Sequence, residues 1–160
     1  MVVASVLICT VRSELSPPEC LYSGRRWKIT MSQTLHCSNC DAALSLPLEH
    51  ADGRHIKPPQ QRDGEPLTER GSVYMSMNPL RYTESSVNQL PQAWMRLADL
   101  LGGVGYTSDR KKLSGCCGIA GTQGPNRVCV CGASVGTESS DCWTPRVFVP
   151  DPATTRWMAT

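Results

Sequence analysis

Two short stretches decide what this chain can fold around: Leu35-His-Cys37-Ser-Asn-Cys40, and Arg127-Val-Cys129-Val-Cys131-Gly132. A Cys-x-x-Cys pair in a tight turn aims both thiolates at one metal ion, and the amides of the turn can donate to the sulfurs. A closed structural zinc site needs four such ligands, so the first pair supplies only half. The second stretch is the natural candidate for the other half, since Gly132 has the backbone freedom that such a turn requires.

At these residues the chain resembles a zinc ribbon, a family that places two cysteine turns, each typically Cys-Pro-x-Cys-Gly, on two hairpins. The resemblance covers residues 35–44 and 128–135. Asp41 stands where the first turn of the family has glycine, and the second pair has one spacer residue instead of two. The resemblance implies a zinc-ribbon-like core with zinc as the cofactor. The ligands that it implies are Cys37, Cys40, Cys129 and Cys131.

A second arrangement of ligands competes with the first. Residues 116–142 hold five of the nine cysteines of the chain, which is enough for a local site. Such a site would use Cys116 or Cys117 with one of the Cys129–Cys131 pair and Cys142. His36 or Asp141 could complete one of two smaller sites. Spacing does not choose between these arrangements, so seven cysteines are candidate metal ligands: Cys37, Cys40, Cys116, Cys117, Cys129, Cys131 and Cys142.

The composition explains why the fold of this chain needs stabilisation beyond its hydrophobic core. Leu, Ile, Val and Phe make up 31 of the 160 residues, near the lower limit for building a core. Structural metal or disulfides stabilise chains of this kind. Sixteen basic and 14 acidic residues give a net charge of +2, which is too balanced for an electrostatic nucleic-acid footprint. The sequence contains no run of 18 apolar residues, so it predicts no membrane-spanning helix.

The chain divides into two parts at about residue 30. Val2–Val11 is apolar, but no basic residue precedes it and no clean cleavage site follows, so we expect a cytoplasmic protein without a signal peptide. We expect residues 1–30 to be a disordered extension. Residues 31–160 would form a single metal-supported domain with a polar, mobile loop over 49–71.

The periodicity of the second part predicts a mixed α+β fold: a small antiparallel sheet with one main helix and long loops. Trp94, Leu97, Ala98 and Leu101 recur at helical spacing, so the helix is placed over 91–101, with Trp94 in the core. Alternating or β-rich stretches predict strands over 72–77, 127–131 and 146–149. Residues 137–143 are interpreted as a turn.

The function predicted from these features is a small zinc-binding module of the structural or interaction type. No HExxH pattern occurs among the three histidines, and His50 and His55 are expected to be solvated, so an enzyme is not favoured. A protein partner is favoured over nucleic acid because of the balanced charge. The competing hypothesis is a thiol redox protein that uses Cys37 and Cys40, or the adjacent Cys116 and Cys117.

Overall fold

The computed structural model describes residues 8–10, 19–22, 25–28, 32–51, 59–80 and 90–160. The chain forms two compact units, Met1–Met31 and Ser32–Thr160. The described part of the first unit is a three-stranded antiparallel sheet of β1 (Ile8–Thr10), β2 (Glu19–Tyr22) and β3 (Arg25–Lys28). Disorder of residues 1–30 stays a prediction, since much of that segment lies outside the described residues.

The second unit is built on one large mixed sheet. Its described strands are β4 (Ser32–Cys37), β5 (Leu48–Ala51), β6 (Ser72–Ser76), β7 (Gln92–Met95), β8 (Val104–Tyr106), β9 (Arg127–Cys129), β10 (Ser134–Ser139), β11 (Val147–Pro150) and β12 (Thr155–Ala159). Their order across the sheet is β12-β4-β5-β6-β7-β11-β10-β9-β8. Only the β5–β6 pair among these is parallel. The sheet curls into a half-barrel.

The predicted α+β fold with one main helix is wrong. Residues 91–101 form β7 and then a short 3-10 helix, Leu97–Asp99, and the described residues contain no α-helix. All four residues of β7 are buried, because β7 lies between β6 and β11 and is covered on both faces. The helical period was a coincidence between Trp94 of this strand and the apolar residues Leu97, Ala98 and Leu101 of the 3-10 helix and the segment after it.

The core lies on both faces of the sheet. Adjacent residues of β6 and β7 belong to different clusters: Val73 and Met95 pack in the larger one, and Tyr74 and Trp94 in the smaller one. Trp94 is a core residue, as predicted, and its Nε1 donates to the side-chain oxygen of Gln92 at 3.1 Å. The larger cluster includes Cys37 and Cys129, so the first cysteine of each turn is part of the core.

The predicted strands agree with the structure better than the predicted helix does. The stretches 72–77 and 127–131 contain β6 and β9, and the stretch 146–149 overlaps β11. The other strands of the sheet were not predicted, β10 and β12 among them, and the turn predicted over 137–143 is wrong for residues 137–139, which belong to β10. Glu138 in β10 is buried despite its charge because Arg127 of β9 neutralises it. A polar sequence thus occupies a buried strand.

The predicted mobile loop 49–71 begins and ends in ordered structure. Residues 49–51 lie in β5, and the Leu67 amide donates to the Arg146 carbonyl at 3.0 Å. His50 is not solvated as expected: it is half-buried, its ring meets Trp157 edge to face, and burial lowers its pKa. Residues 52–58, and with them His55, lie outside the described residues, so mobility stays a prediction.

Candidate metal centre

The first cysteine turn closes the end of β4. The Asp41 amide donates to the Cys37 carbonyl at 3.0 Å, and the Cys37 amide donates to the Ala42 carbonyl at the same distance. Asp41 has a φ of 66°, a left-handed conformation that Asp and Asn tolerate better than most residues. Asp41 therefore supplies the backbone shape that glycine supplies in the zinc-ribbon pattern. An ion pair with Arg156 of β12 holds its side chain.

The second cysteine turn links β9 to β10. The Gly132 amide donates to the Cys129 carbonyl at 2.8 Å, and the Cys129 amide donates to the Ala133 carbonyl at 2.9 Å. Gly132 has a φ of 85°, so each turn has a left-handed residue directly after its second cysteine. The shorter Cys129-x-Cys131 spacing therefore still forms a tight turn around its two sulfurs.

The curl of the sheet brings the two turns together across 88 intervening residues. The chain after β7 runs back along the segment that follows the first turn: the Leu101 amide donates to the Leu44 carbonyl, and the Leu46 amide donates to the Asp99 carbonyl, both at 2.9 Å. After residue 101 the chain continues into β8, which pairs with β9. The second turn is therefore carried to the first by backbone hydrogen bonds.

The four sulfurs of the two turns converge. The Sγ atoms of Cys37, Cys40, Cys129 and Cys131 all lie within 4.8 Å of one another. Across the turns, Cys37 and Cys131 are 3.8 Å apart, and Cys40 and Cys129 are 3.5 Å apart. Four thiolates around zinc with bonds of about 2.3 Å would have sulfurs separated by about 3.8 Å. The donor set and its spacing therefore fit a tetrahedral metal ion.

Burial divides each turn into an inner and an outer ligand. Cys37 and Cys129 are buried at 0 % and 3 % exposure, whereas Cys40 and Cys131 are exposed. Burial raises the pKa of Cys129 to about 12. Hydrogen bonds from the Asn39 side chain and the Ala133 amide lower the pKa of Cys131 to about 6. Crowded thiols cannot all ionise without a cation, so one takes the negative charge at its neighbours' expense.

A second group of cysteines lies apart from this centre. Cys116, Cys117 and Cys142 have sulfurs within 4.8 Å of one another, and a disulfide joins Cys117 to Cys142. The structure thus sorts the seven predicted ligands into a group of four and a group of three. It does not form the local site that mixes Cys116 or Cys117 with the Cys129–Cys131 pair.

The two residues predicted as completing ligands have other roles. The Nδ1 of His36 lies 2.8 Å from the Asp41 carbonyl oxygen, within hydrogen-bond distance, so the ring braces the first turn. The Asp141 carboxylate accepts backbone hydrogen bonds from Cys116, Cys117 and Cys142, which lower its pKa. Neither residue belongs to the group of four sulfurs.

Sequence reasoning missed two residues that support the centre. Asn39 lies in the spacer of the first turn, and its side-chain amide donates to the Cys131 sulfur at 3.4 Å. Arg156, whose ion pair fixes Asp41, lies on a strand that showed no recognisable pattern. The spacer position of Asn39 was a usable signal, because polar groups beside a metal turn often donate to the sulfurs. Nothing in the local sequence indicated Arg156.

No protein-family model, curated protein or solved structure matches this chain. In the described part of the chain, helices of membrane-spanning length and hydropathy are absent.

Proposed function

We propose that this protein is a zinc-binding module in which one zinc ion, held by Cys37, Cys40, Cys129 and Cys131, fastens the two cysteine turns together. The observation that carries the proposal is the convergence of four sulfurs within 4.8 Å from two turns that are far apart in sequence. A closed set of four thiolates leaves no open coordination position, which is typical of a structural rather than a catalytic site. The likeness to zinc ribbons then concerns the two turns and not the sheet.

Zinc suits the energetics of the chain. Structural zinc contributes on the order of 10 kcal/mol to the folding of small domains, which is comparable to the whole stability of many proteins. The large apolar residues are few here, and two of the buried core residues are themselves ligands of the proposed ion. The ion would join the first turn to the β9–β10 hairpin and would neutralise thiolates that the core cannot hold alone.

The thiol redox hypothesis for Cys37 and Cys40 has less support. The short sulfur distances of 3.8 and 3.5 Å run between the turns, so each cysteine lies close to a partner on the other turn. A dithiol catalyst would need Cys37 and Cys40 to pair with each other, with no need for a second pair of sulfurs.

Metal analysis of protein purified without chelator tests the proposal. We expect about one zinc per chain, and loss of that zinc in Cys37→Ser and Cys129→Ser variants. Cys116→Ser is the matched control and should keep its zinc, because Cys116 lies in the other group. Iron in place of zinc would correct the identity of the metal, since four sulfurs also suit iron. Absence of metal with four reactive thiols would reject the proposal.

We also propose that the module acts through a protein partner in a reducing compartment such as the cytoplasm. Val130 at the tip of the second turn is 74 % exposed and Trp143 is 67 % exposed, as expected of side chains that a partner covers. The balanced charge argues against nucleic acid. Binding of a candidate partner should weaken in Val130→Asp but not in Thr122→Asp, a change in another exposed turn. Equal weakening of binding by the two changes would show that the turn around Val130 is not the binding surface.

A further inference from the structure

The loop that carries the second cysteine group is built to approach residues 140–142. A methyl group at Gly115 would come within 2.6 Å of the Asp141 carboxylate, and one at Gly118 within 2.6 Å of the Ser140 carbonyl. Real side chains do not pack this closely, so both glycines are needed. Cys116 and Cys117 stand between them, and this places two adjacent sulfurs beside Cys142.

Asp141 holds the three cysteines in place through their backbone. Its carboxylate accepts the amides of Cys116 at 2.7 Å, Cys117 at 2.9 Å and Cys142 at 2.7 Å. None of these hydrogen bonds involves a sulfur atom. The three side chains would therefore stay close whether the disulfide is present or reduced, and proximity of this kind raises the effective concentration of a thiol toward a disulfide.

We propose that Cys116, Cys117 and Cys142 form a thiol–disulfide exchange site in which Cys142 pairs with either of the two adjacent cysteines. Cys117 holds the disulfide in the structure, and Cys116 is the free, exposed thiol beside it. The Cys142 sulfur lies within 4.8 Å of the Cys116 sulfur while it is bonded to Cys117, so both adjacent cysteines reach it. Cys142 is then the sulfur that both neighbours share.

The internal exchange is balanced without any further reactant. The Cys116 thiolate attacks the Cys142 sulfur, a Cys116–Cys142 bond forms, and the Cys117–Cys142 bond breaks. The electron pair of the broken bond leaves on Cys117, which takes up a proton from solvent in place of the one that Cys116 lost. The number of disulfides does not change.

The substrate class of the site is an external thiol, either a small molecule or an exposed protein cysteine. An external thiolate attacks Cys142, forms a mixed disulfide and releases Cys117 as a thiolate. Attack by Cys116 on Cys142 then releases the external thiol again and leaves a Cys116–Cys142 bond. Alternatively, a second external thiolate attacks the external sulfur of the mixed disulfide: the bond between the two external sulfurs forms, the bond to Cys142 breaks, and the site is left as thiols.

This site differs from the vicinal redox pair that the sequence suggested, and it does not depend on the proposed zinc ion. Its three cysteines share no residue with the group of four. A transient, exchanging disulfide also fits a reducing compartment, where permanent structural disulfides are rare.

Disulfide mapping of the full chain in glutathione buffers tests the pairing. After acid quenching and alkylation, the wild type should contain both Cys117–Cys142 and Cys116–Cys142. Cys117→Ser should form only the Cys116–Cys142 bond, and Cys116→Ser only the Cys117–Cys142 bond. Cys142→Ser should form neither of them. A Cys117→Ser protein in which Cys116 and Cys142 never pair would overturn the proposal.

Release of glutathione tests the exchange step. Cys117→Ser treated with oxidised glutathione should expel the bound glutathione as its internal disulfide forms, whereas the Cys116→Ser, Cys117→Ser double variant should retain it on Cys142. Asp141→Asn should slow this release at least about tenfold because it loosens the three amides. Asp109→Asn should not, because the Asp109 carboxylate accepts the Lys111 amide and none of the three cysteine amides.

Zinc titration of the reduced chain separates exchange from metal storage. The exchange proposal expects no additional zinc equivalent that depends on Cys116, Cys117 and Cys142. Retention of glutathione by Cys117→Ser, or a second zinc that these three cysteines bind, would overturn it. Loss of the first zinc in the Cys37→Ser variant would leave the exchange result unchanged, so failure here and failure of the zinc proposal are distinguishable.

Discussion

At the scale of single residues, the four thiols of the candidate metal centre lie close together but differ in their pKa values. Cys131 has a pKa of about 6 because Asn39 and the Ala133 amide donate to its sulfur, whereas burial raises the pKa of Cys129 to about 12. The spacing of the cysteines predicted the two cysteine turns, because a turn is a local structure. It did not predict the inequality, which comes from burial and from hydrogen bonds between turns distant in sequence.

This inequality predicts an order of alkylation in metal-free protein. The thiolate is the reactive form, so the rate at Cys131 should rise as the pH increases through about 6 and level off by neutral pH. The rate at Cys129 should stay low across the same range. Peptide mass mapping after short iodoacetamide pulses measures both. Asn39→Ala should shift the Cys131 profile toward higher pH, and an unshifted profile would show that Asn39 plays no such part.

At the scale of elements, the β9–β10 hairpin shows why polar strands escaped detection. Glu138 is buried, and its carboxylate accepts hydrogen bonds from the Arg127 guanidinium and from the Ser140 hydroxyl, each at 2.6 Å. Arg127 also lies over the Tyr106 ring, 3.7 Å from its centre. Sequence patterns assign charged residues to the surface, so β10 looked like a turn. The error over 91–101 has a different origin, because the apolar residues that matched a helical period belong to β7, to the 3-10 helix and to the segment after it.

Removing one partner of this buried ion pair should destabilise the hairpin. Glu138→Ala leaves the largely buried Arg127 guanidinium without a counter-charge, which costs about 3 kcal/mol. The free energy of unfolding in urea measures the loss. Glu65→Ala is the control, because its pairing with Arg62 is exposed on both sides and should change stability by less than about 1 kcal/mol. Equal losses in both variants would contradict a buried, stabilising pair.

At the scale of the whole molecule, the curl of the sheet determines the site. The cysteine spacings indicated two halves of a candidate metal centre, but the two halves are brought together by hydrogen bonds between residues 44–46 and 99–101. Such contacts join segments that are more than 50 residues apart, and no local pattern encodes them. The sequence therefore indicated the candidate ligands, whereas the half-barrel that assembles them emerged only from the structure.

Removal of the proposed zinc ion should loosen the contact between residues 44–46 and 99–101 before it loosens the rest of the sheet. The amides of Leu46 and Leu101 donate across the contact, so their hydrogen exchange should accelerate at least about tenfold after chelation, or about 1.4 kcal/mol of lost protection. Amides of the β6–β7 pair should change much less. If the whole sheet loses protection together, the ion stabilises the molecule globally and the local interpretation is wrong.

The bond between Cys117 and Cys142 has a topological consequence. It encloses the 24 residues between them, including all of β9 and β10 and the second cysteine turn, in one covalent ring. A protease that cuts once inside this ring opens it without releasing a fragment, and the two pieces stay attached for as long as the sulfur bond lasts. Reducing conditions would therefore decide whether such a cut severs the chain.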